Sequence, residues 1–180
     1  MLNERERRPV SSLVRKVFLS LPRATKRKNS GVLHAHYEKV STVAKLLTGL
    51  AQKDVEIASI RLDKRKVLLT ISPHELYASI IVTLINRLYL DGVISGIDEI
   101  VLVASRMNTN RKLNISFSES VVNRMSGTNF NINIVKPSDD KCLQAVDFVS
   151  WALWQKYEKA DNTYSDLVTD KIVKEYVMYE

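Results

Sequence analysis

Cysteine is almost absent from this sequence of 180 residues, which contains one, Cys142. A single thiol excludes an intramolecular disulfide and any zinc site built from several cysteines, so we expect a reducing compartment, the cytoplasm. Long apolar runs are missing too, since none approaches the ~20 residues that a membrane span needs. The charged N-terminus has no apolar segment followed by a cleavage site. We therefore expect no secretion signal and no membrane partner.

Glycine is also scarce, with five in the chain. None of the five has the spacing of a dinucleotide-binding or Walker loop, and no nucleophile elbow is present. These absences argue against nucleotide-cofactor enzymes and against serine hydrolases of the α/β type. What remains is ordinary for a globular domain, with 45% hydrophobic and 26% charged residues.

Positive charge is in excess and unevenly placed. The net charge is +7, and residues 1–28 alone hold nine Lys and Arg against two Glu, so residues 29–180 sum to zero. We divide the chain accordingly into a basic N-terminal arm with the first helix, 1–28, and a domain, 29–180. A basic arm favours phosphate-rich partners, because such contacts release counterions; a solvated tail is the alternative. The candidate nucleic-acid contacts in the arm are Arg23, Lys26, Arg27 and Lys28.

The spacing of apolar residues predicts helices alternating with strands. Residues 1–12 are expected to fray and residues 23–31 to form a basic loop, and the last segment is expected to be either strand or helix. This alternation predicts a mostly parallel central sheet with helices on both faces. In such sheets the functional crevice lies beyond the carboxyl ends of the strands. Helices are predicted near 10–21, 37–52, 73–91, 116–127 and 141–158, and strands near 54–63, 98–106 and 129–137.

The helix "KCLQAVDFVSWALWQKYE", residues 141–158, is apolar almost all the way round, yet Asp147 lies in its middle. Its face also carries Leu143 and two tryptophans. A carboxylate in such surroundings should be protonated, paired, or bound to a cation. Arg61 and Lys64 are the expected partners if it is paired. The sequence leaves these alternatives open.

Asp63 ends the first predicted strand, at the edge where parallel sheets keep their chemistry. It either pairs with a neighbouring basic residue or converges with Asp147 on a hard divalent cation such as Mg²⁺, which prefers oxygen ligands. The neighbouring basic residues are Lys64, Arg65 and Lys66.

Histidine and aromatic residues offer two weaker signals. His34 and His36 would share a face on a strand, which allows either metal ligation or surface and hydrogen-bonding roles. A set of aromatic residues at helical spacing forms either core or a stacking platform for bases. That set is Trp151, Trp154 and Tyr157.

The C-terminal quarter resembles the ending of a large prokaryotic and phage family, domain of unknown function 3800. That ending reads as a Leu-Gln-x-x-Asp helix, then Lys-Tyr-Glu, an acidic turn and a Tyr-x-x-Leu element. "VEIASIRLDKRK" resembles the family's strand ending in Asp-Lys, and "GVLHAHYEKVSTVAKLLTGLAQ" resembles the loop and helix before it. The resemblance covers roughly residues 10–180. At the C-terminus the matching residues are Gln144, Asp147, Lys156, Tyr157, Glu158, Asp161, Tyr164 and Leu167.

The resemblance implies a ribonuclease-H-like fold whose acidic residues gather as in metal-dependent nucleases. Carried over residue by residue, the resemblance makes Asp63 and Asp147 the catalytic ligands of Mg²⁺ or Mn²⁺. Gln144 would support these ligands without binding the metal itself. Lys64 or Arg106 would then contact the phosphate.

The sequence departs from the family pattern where the family keeps further acids. No Asp-Glu-Ser-Gly hairpin precedes residue 10, and the central strand has Ala104 and Ser105 where an aspartate is usual. The missing hairpin leaves the sheet short on one side, so a partner chain or a second copy is expected to complete it. We therefore predict a ribonuclease-H-like domain with a nucleic-acid-related role. It is either a metal-dependent nuclease or a degenerate nucleic-acid-binding or interaction subunit.

Overall fold

The chain divides into two compact units. The first comprises Met1–Ile57 and Lys136–Val173, and the second comprises Ala58–Val135 and Lys174–Glu180. We call them the helical unit and the sheet unit. Within the described residues, no helix combines the length and the apolarity needed to cross a bilayer. The computed structural model describes residues 4–28, 31–66, 71–96, 98–106 and 111–178.

Helices and strands alternate along most of the chain. Short 3₁₀ turns lie at Ala35–Tyr37, Lys64–Lys66 and Asp166–Lys171. In chain order the helices and strands are α1 (Glu4–Leu19), α2 (Arg23–Lys28), α3 (Val40–Ala51), β1 (Ile57–Leu62), α4 (Pro73–Leu90), β2 (Ile100–Ser105), α5 (Arg111–Arg124), β3 (Phe130–Val135), α6 (Lys141–Lys159) and β4 (Ile172–Met178).

The core of the helical unit forms where α1 packs on α3 and α6. Val10, Val14 and Val17 recur at helical spacing and are buried, so one face of α1 supplies this contact. Gly49 of α3 allows a close approach, because a Cβ there would lie 2.5 Å from Leu13 Cδ1. From α6, the buried side chains are Cys142, Gln144, Ala145, Phe148, Val149, Ala152 and Leu153.

Two expectations for the N-terminal arm are wrong. Helix α1 already begins at Glu4 and passes through Pro9, so most of the segment expected to fray is helical. In the segment expected to form a basic loop, Arg23–Lys28 form the short helix α2, in which Lys26 N donates to Pro22 O at 3.1 Å. Burial of the α1 valine face stabilises the first helix, and Arg, Ala and Lys favour helix in the second.

In the sheet unit, β2 and β3 pair in parallel, from Ile100 opposite Phe130 to Ser105 opposite Val135. Alternate side chains of both strands join the core made by α4 and α5. Strand β2 was expected to be covered on both faces, yet Val101 is 50% exposed because it points away from those helices. Along β3, half-buried and exposed side chains alternate over the first five residues.

Strand β1 pairs with β4 in a second parallel pair. A mixed α/β fold with parallel strands is thus confirmed. In the described residues, however, the strands form two two-stranded sheets in place of the central sheet with helices on both faces. The undecided C-terminal segment is a 3₁₀ turn followed by β4. Lys174 Nζ and Tyr176 Oη donate to Asp91 Oδ2 at 2.7 and 2.9 Å, which ties β4 to the end of α4.

Both ends of α4 and the start of α6 are set by residues close in sequence. Ser72 caps α4, with its Oγ accepting from Glu75 N while the Glu75 carboxylate accepts from Ser72 N. Gly92 follows that helix with φ +68°, a left-handed conformation that glycine adopts without strain. Asp140 caps α6, its Oδ1 accepting from Cys142 N at 2.8 Å. These ends depend on neighbouring residues, which explains why the sequence alone identifies them.

Candidate functional site

The loop of residues 31–38, which precedes α3, is held on one face of α6 by three side chains. The helix residues are three apart and therefore lie on one face, while the loop residues they bind are two apart, as in extended backbone. We call residues 31–38 the anchored loop. The three bonds, at 2.9, 3.0 and 2.9 Å, are Lys141 Nζ to Gly31 O, Leu33 N to Gln144 Oε1, and Ala35 N to Asp147 Oδ2.

Gln144 uses both ends of its amide and is 1% exposed. Its Oε1 accepts from Leu33 N, and its Nε2 donates to Pro137 O at 2.6 Å. The side chain was expected to stand behind metal ligands. In the structure it satisfies two backbone groups, and it joins α6 to the anchored loop and to Pro137, the second residue after β3.

Asp147 is not enclosed by apolar side chains. Its side chain is 47% exposed, and Val146 and Trp154 beside it are exposed as well, so the expectation of a buried carboxylate is wrong. This face of α6 turns outward over the anchored loop. Asp147 Oδ2 accepts from Ala35 N and lies 3.7 Å from His34 Nδ1.

The partners expected for Asp147 were Arg61 and Lys64, both of which lie in the sheet unit. The described contacts of Asp147 lie within its own unit: a hydrogen bond from Ala35 N and, at 3.7 Å, the imidazole of His34. The side chain of Lys64 lies outside the described part of the structure.

Asp63 follows β1 immediately, as predicted, and pairs with Arg65 two residues later. Arg65 donates from Nε to Oδ1 at 2.9 Å, from Nη2 to Oδ2 at 2.8 Å, and from its backbone N to Oδ1 at 3.0 Å. The side-chain hydrogen bonds from Arg65, then its backbone N–H, lower the pKa of Asp63 from 3.8 to about 2. The alternative in which Asp63 pairs with a neighbouring basic residue is therefore confirmed, and that residue is Arg65.

The two acidic residues predicted to bind a metal belong to different units, Asp63 to the sheet unit and Asp147 to the helical unit. Over the described ranges, no three His, Cys, Asp or Glu side chains are grouped as a metal site. His34 and His36 do not share a strand face, because His36 lies in the 3₁₀ turn Ala35–Tyr37. Both imidazoles instead pack against Tyr37, at ring distances of 6.1 and 5.1 Å.

A groove of about 890 Å³ lies beside the anchored loop. Its walls are the segment from Ser20 to Thr25, the anchored loop itself, and the first two turns of α3. Lys39, Lys45 and His34 line it, with Glu38 as the acidic member of the lining. Lys45 Nζ donates to Ser20 Oγ at 3.0 Å, so this ammonium group spans from α3 to the basic arm. Lysine therefore outnumbers acidic residues in the groove lining by two to one.

The basic residues predicted to contact nucleic acid fall in two places. Arg23 and Lys26 lie on α2, whose first turn forms part of the groove wall, and Lys26 Nζ donates to Leu19 O at 2.8 Å. The side chains of Arg27 and Lys28 lie outside the described part. In the sheet unit, Arg106 follows β2 and lines a smaller pocket of about 410 Å³ with Arg111.

Of the three aromatic residues singled out on α6, two pack in the core, as one of the two alternatives predicted. Trp151 packs edge-on against buried Tyr164 at 4.8 Å, and Tyr157 packs against the same core. Trp154 is 46% exposed, with Lys159 Nζ 5.4 Å from its ring centre.

Tyr37, which the sequence did not single out, is the exposed aromatic on the groove. Its exposed fraction is 79%, and its ring lines the groove beside His34. The available signal was the run "HAHY", whose three rings are close in sequence.

A scan against protein-family models, a search of curated proteins and a search of solved structures each found no match. The resemblance to domain of unknown function 3800 therefore stays a prediction. Function is inferred below from the geometry and charge of the described residues.

Proposed function

We propose that the protein binds nucleic acid along the groove between the basic arm and the anchored loop. The observation that carries this proposal is the lining of the groove by Lys39 and Lys45, with the first turn of the basic helix α2 forming part of one wall. Lysine contacts to phosphates gain free energy from released counterions and need no base sequence. The groove has the composition that such contacts require.

The charge of the two units supports this location. By sequence, the helical unit holds 17 Lys and Arg against 12 Asp and Glu, a net of +5. The sheet unit holds 10 against 8, a net of +2. Most of the excess positive charge therefore belongs to the unit that contains the groove, where it favours association with a polyanion.

We also propose a ribonuclease-H-like fold for the chain. The parallel pairing of β2 with β3 and the packing of α4 and α5 on one face of that pair support it. A larger sheet would need further strands, and we propose a partner chain or a second copy as their source. Exposed Val101 on the outer face of β2 is consistent with such a cover.

A divalent-metal-dependent nuclease is the second candidate function. One observation favours it: the described contacts of half-exposed Asp147 use one oxygen, Oδ2. Asp147 could therefore give its other oxygen to Mg²⁺ or Mn²⁺. Two carboxylates are fewer than two-metal phosphoryl chemistry normally uses, so we place binding first.

The binding proposal is tested by replacing the two groove lysines together. Fluorescence anisotropy with a labelled oligonucleotide would be recorded for wild type, for Lys39→Ala with Lys45→Ala, and for Lys53→Ala with Lys136→Ala as a charge-matched control. We expect the groove variant to lose at least about tenfold in affinity at about 100 mM salt, and its salt slope to fall by about 2. The control should stay within about twofold.

Equal losses in the groove and control variants would contradict the groove as the binding site, and absence of binding at low salt would contradict the function. The nuclease candidate needs a separate measurement with Mg²⁺, Mn²⁺ and EDTA. Asp147→Asn keeps an acceptor for Ala35 N while it removes the charge, so it should abolish metal-dependent cleavage without unfolding the protein. Cleavage that survives this change would exclude Asp147 as a ligand.

A further inference from the structure

We infer that the groove takes a single strand, with one unpaired base stacked on Tyr37. This inference rests on the proposed function and names its ligand class. Tyr37 is 79% exposed and lines the groove together with Lys39 and Lys45. An aromatic face beside lysines is the combination by which proteins hold single-stranded nucleic acid, because bases stack on the ring while the cations follow the backbone.

The ring of Tyr37 is held in a defined orientation. The imidazoles of His34 and His36 meet it edge-on, at interplanar angles of 83° and 76°. Both imidazoles come from residues before Tyr37 in the chain, and they leave most of the phenol surface in solvent. A fixed ring loses little side-chain entropy when a base stacks on it.

The backbone that leads into Tyr37 is anchored by burial and by hydrogen bonds to α6. Leu33 and Ala35 are 0% and 2% exposed, and their N–H groups donate to Gln144 and Asp147 of α6. The 3₁₀ turn that carries Tyr37 therefore begins on a buried, hydrogen-bonded residue, Ala35. Asp147 acts in this account as a positioning residue, since it holds the turn and does not touch the base.

The position of Tyr37 favours a single strand over a duplex. In a duplex, each base is already stacked between its neighbours, so an aromatic side chain on a groove wall gains no base face to cover. An unpaired base can turn toward the ring while its phosphates remain near Lys39 and Lys45. A ligand recognised through its phosphates alone would gain nothing from the Tyr37 ring.

The test compares three ligands of equal length: a labelled thymidine 15-mer, the same backbone without bases, and a 15-base-pair duplex. The protein variants are Tyr37→Ala, Tyr37→Phe and Trp154→Leu. Trp154 is the matched control, because it is an exposed aromatic with a lysine over its ring but does not line the groove. Thermal unfolding of each variant would check that it folds.

For the thymidine strand we expect Tyr37→Ala to weaken binding by about 5- to 150-fold, the range of one base–aromatic stack. Tyr37→Phe keeps the ring and should stay within about threefold, as should Trp154→Leu. The abasic strand should bind wild type as weakly as the thymidine strand binds Tyr37→Ala, and Tyr37→Ala should cause no further loss with it. Duplex affinity should not change in any of the three variants.

Equal binding of the abasic and thymidine strands by wild type would overturn the stacking inference, as would an unchanged affinity in Tyr37→Ala. In either case the lysine variants would still lose affinity, and the proposed function would stand. If neither single strand nor duplex binds wild type, the proposed function fails, and this inference fails with it.

Discussion

The anchored loop and the turn after β1 each contain a backbone N–H bound to an aspartate, but the two bonds differ in the sequence separation that they span. Asp147 accepts from Ala35, which is 112 residues away in the chain. Asp63 accepts from Arg65, which is two residues away. Asp147 joins a helix to a loop, whereas Asp63 stabilises its own turn.

This difference shows which carboxylate the fold depends on. The Asp63 pair is local and its arginine side chain is 89% exposed, so water screens the attraction and the turn would persist without it. The bond from Asp147 and the two beside it hold a loop whose Leu33 and Ala35 are buried. Breaking them exposes core and leaves backbone groups without partners.

The largest effect is expected from breaking the anchored loop at Gln144. Gln144→Leu would leave Leu33 N and Pro137 O without their side-chain partner in a buried place. We expect the free energy of unfolding to fall by about 2–4 kcal/mol, measured by urea denaturation. Gln155→Leu makes the same chemical change on the same helix at a half-exposed position and should stay within about 0.5 kcal/mol. Equal losses would show that α6, and not the anchoring bonds, is what the change disturbs.

A smaller effect tests the comparison directly, by removing each aspartate. Asp147→Ala should cost about 1–2 kcal/mol, because Ala35 N loses its acceptor, and should speed hydrogen exchange at that amide. Asp63→Ala should cost less than Asp147→Ala, because its partners remain hydrated. Asp147→Asn keeps an acceptor and should recover most of the loss. If Asp63→Ala proves the more destabilising of the two, the comparison is wrong.

The smallest effect concerns acid. Arg65 lowers the pKa of Asp63 to about 2, so the folded state binds this proton less readily than the unfolded chain does. Its contribution to stability is therefore present above about pH 4 and is lost as the pH falls toward 2. NMR titration of the Asp63 carboxyl carbon should give a midpoint near 2, and Arg65→Ala should return it toward the ordinary 3.8. A midpoint of 3.8 in wild type would mean that the pair does not form in solution.

Several features could be predicted because they depend on neighbours in sequence. The cap of α4 at Ser72, the glycine after it and the alternation of β3 all follow from a few adjacent residues. The pairing of Asp63 belongs to this group, since the basic residue Arg65, two positions away, was one of its expected partners. The exposure of Asp147 was not predictable, because apolar residues surround it in the helix and only the fold decides which face turns outward.

The features that were missed all depend on contacts between residues far apart in sequence. The first turns of α1 precede a proline and have a polar sequence, and packing of Val10, Val14 and Val17 on the unit's core stabilises the helix. The division of the strands into two pairs depends on which strands meet, which periodicity does not encode. Tyr37 was passed over because a tyrosine beside two histidines has no significance until its exposure is known.

By itself, the sequence determined the alternation of helices and strands, the caps of α4 and α6 and the basic charge of residues 1–28, and it offered the local pairing of Asp63 as one alternative. Each of these is set by side chains within a few residues of one another, where spacing and propensity act directly. The tertiary structure alone decided that Lys141, Gln144 and Asp147 hold the loop and that Tyr37 stands exposed on a cationic groove. These contacts join segments about 110 residues apart, and only the packing of the core brings such segments within hydrogen-bonding distance.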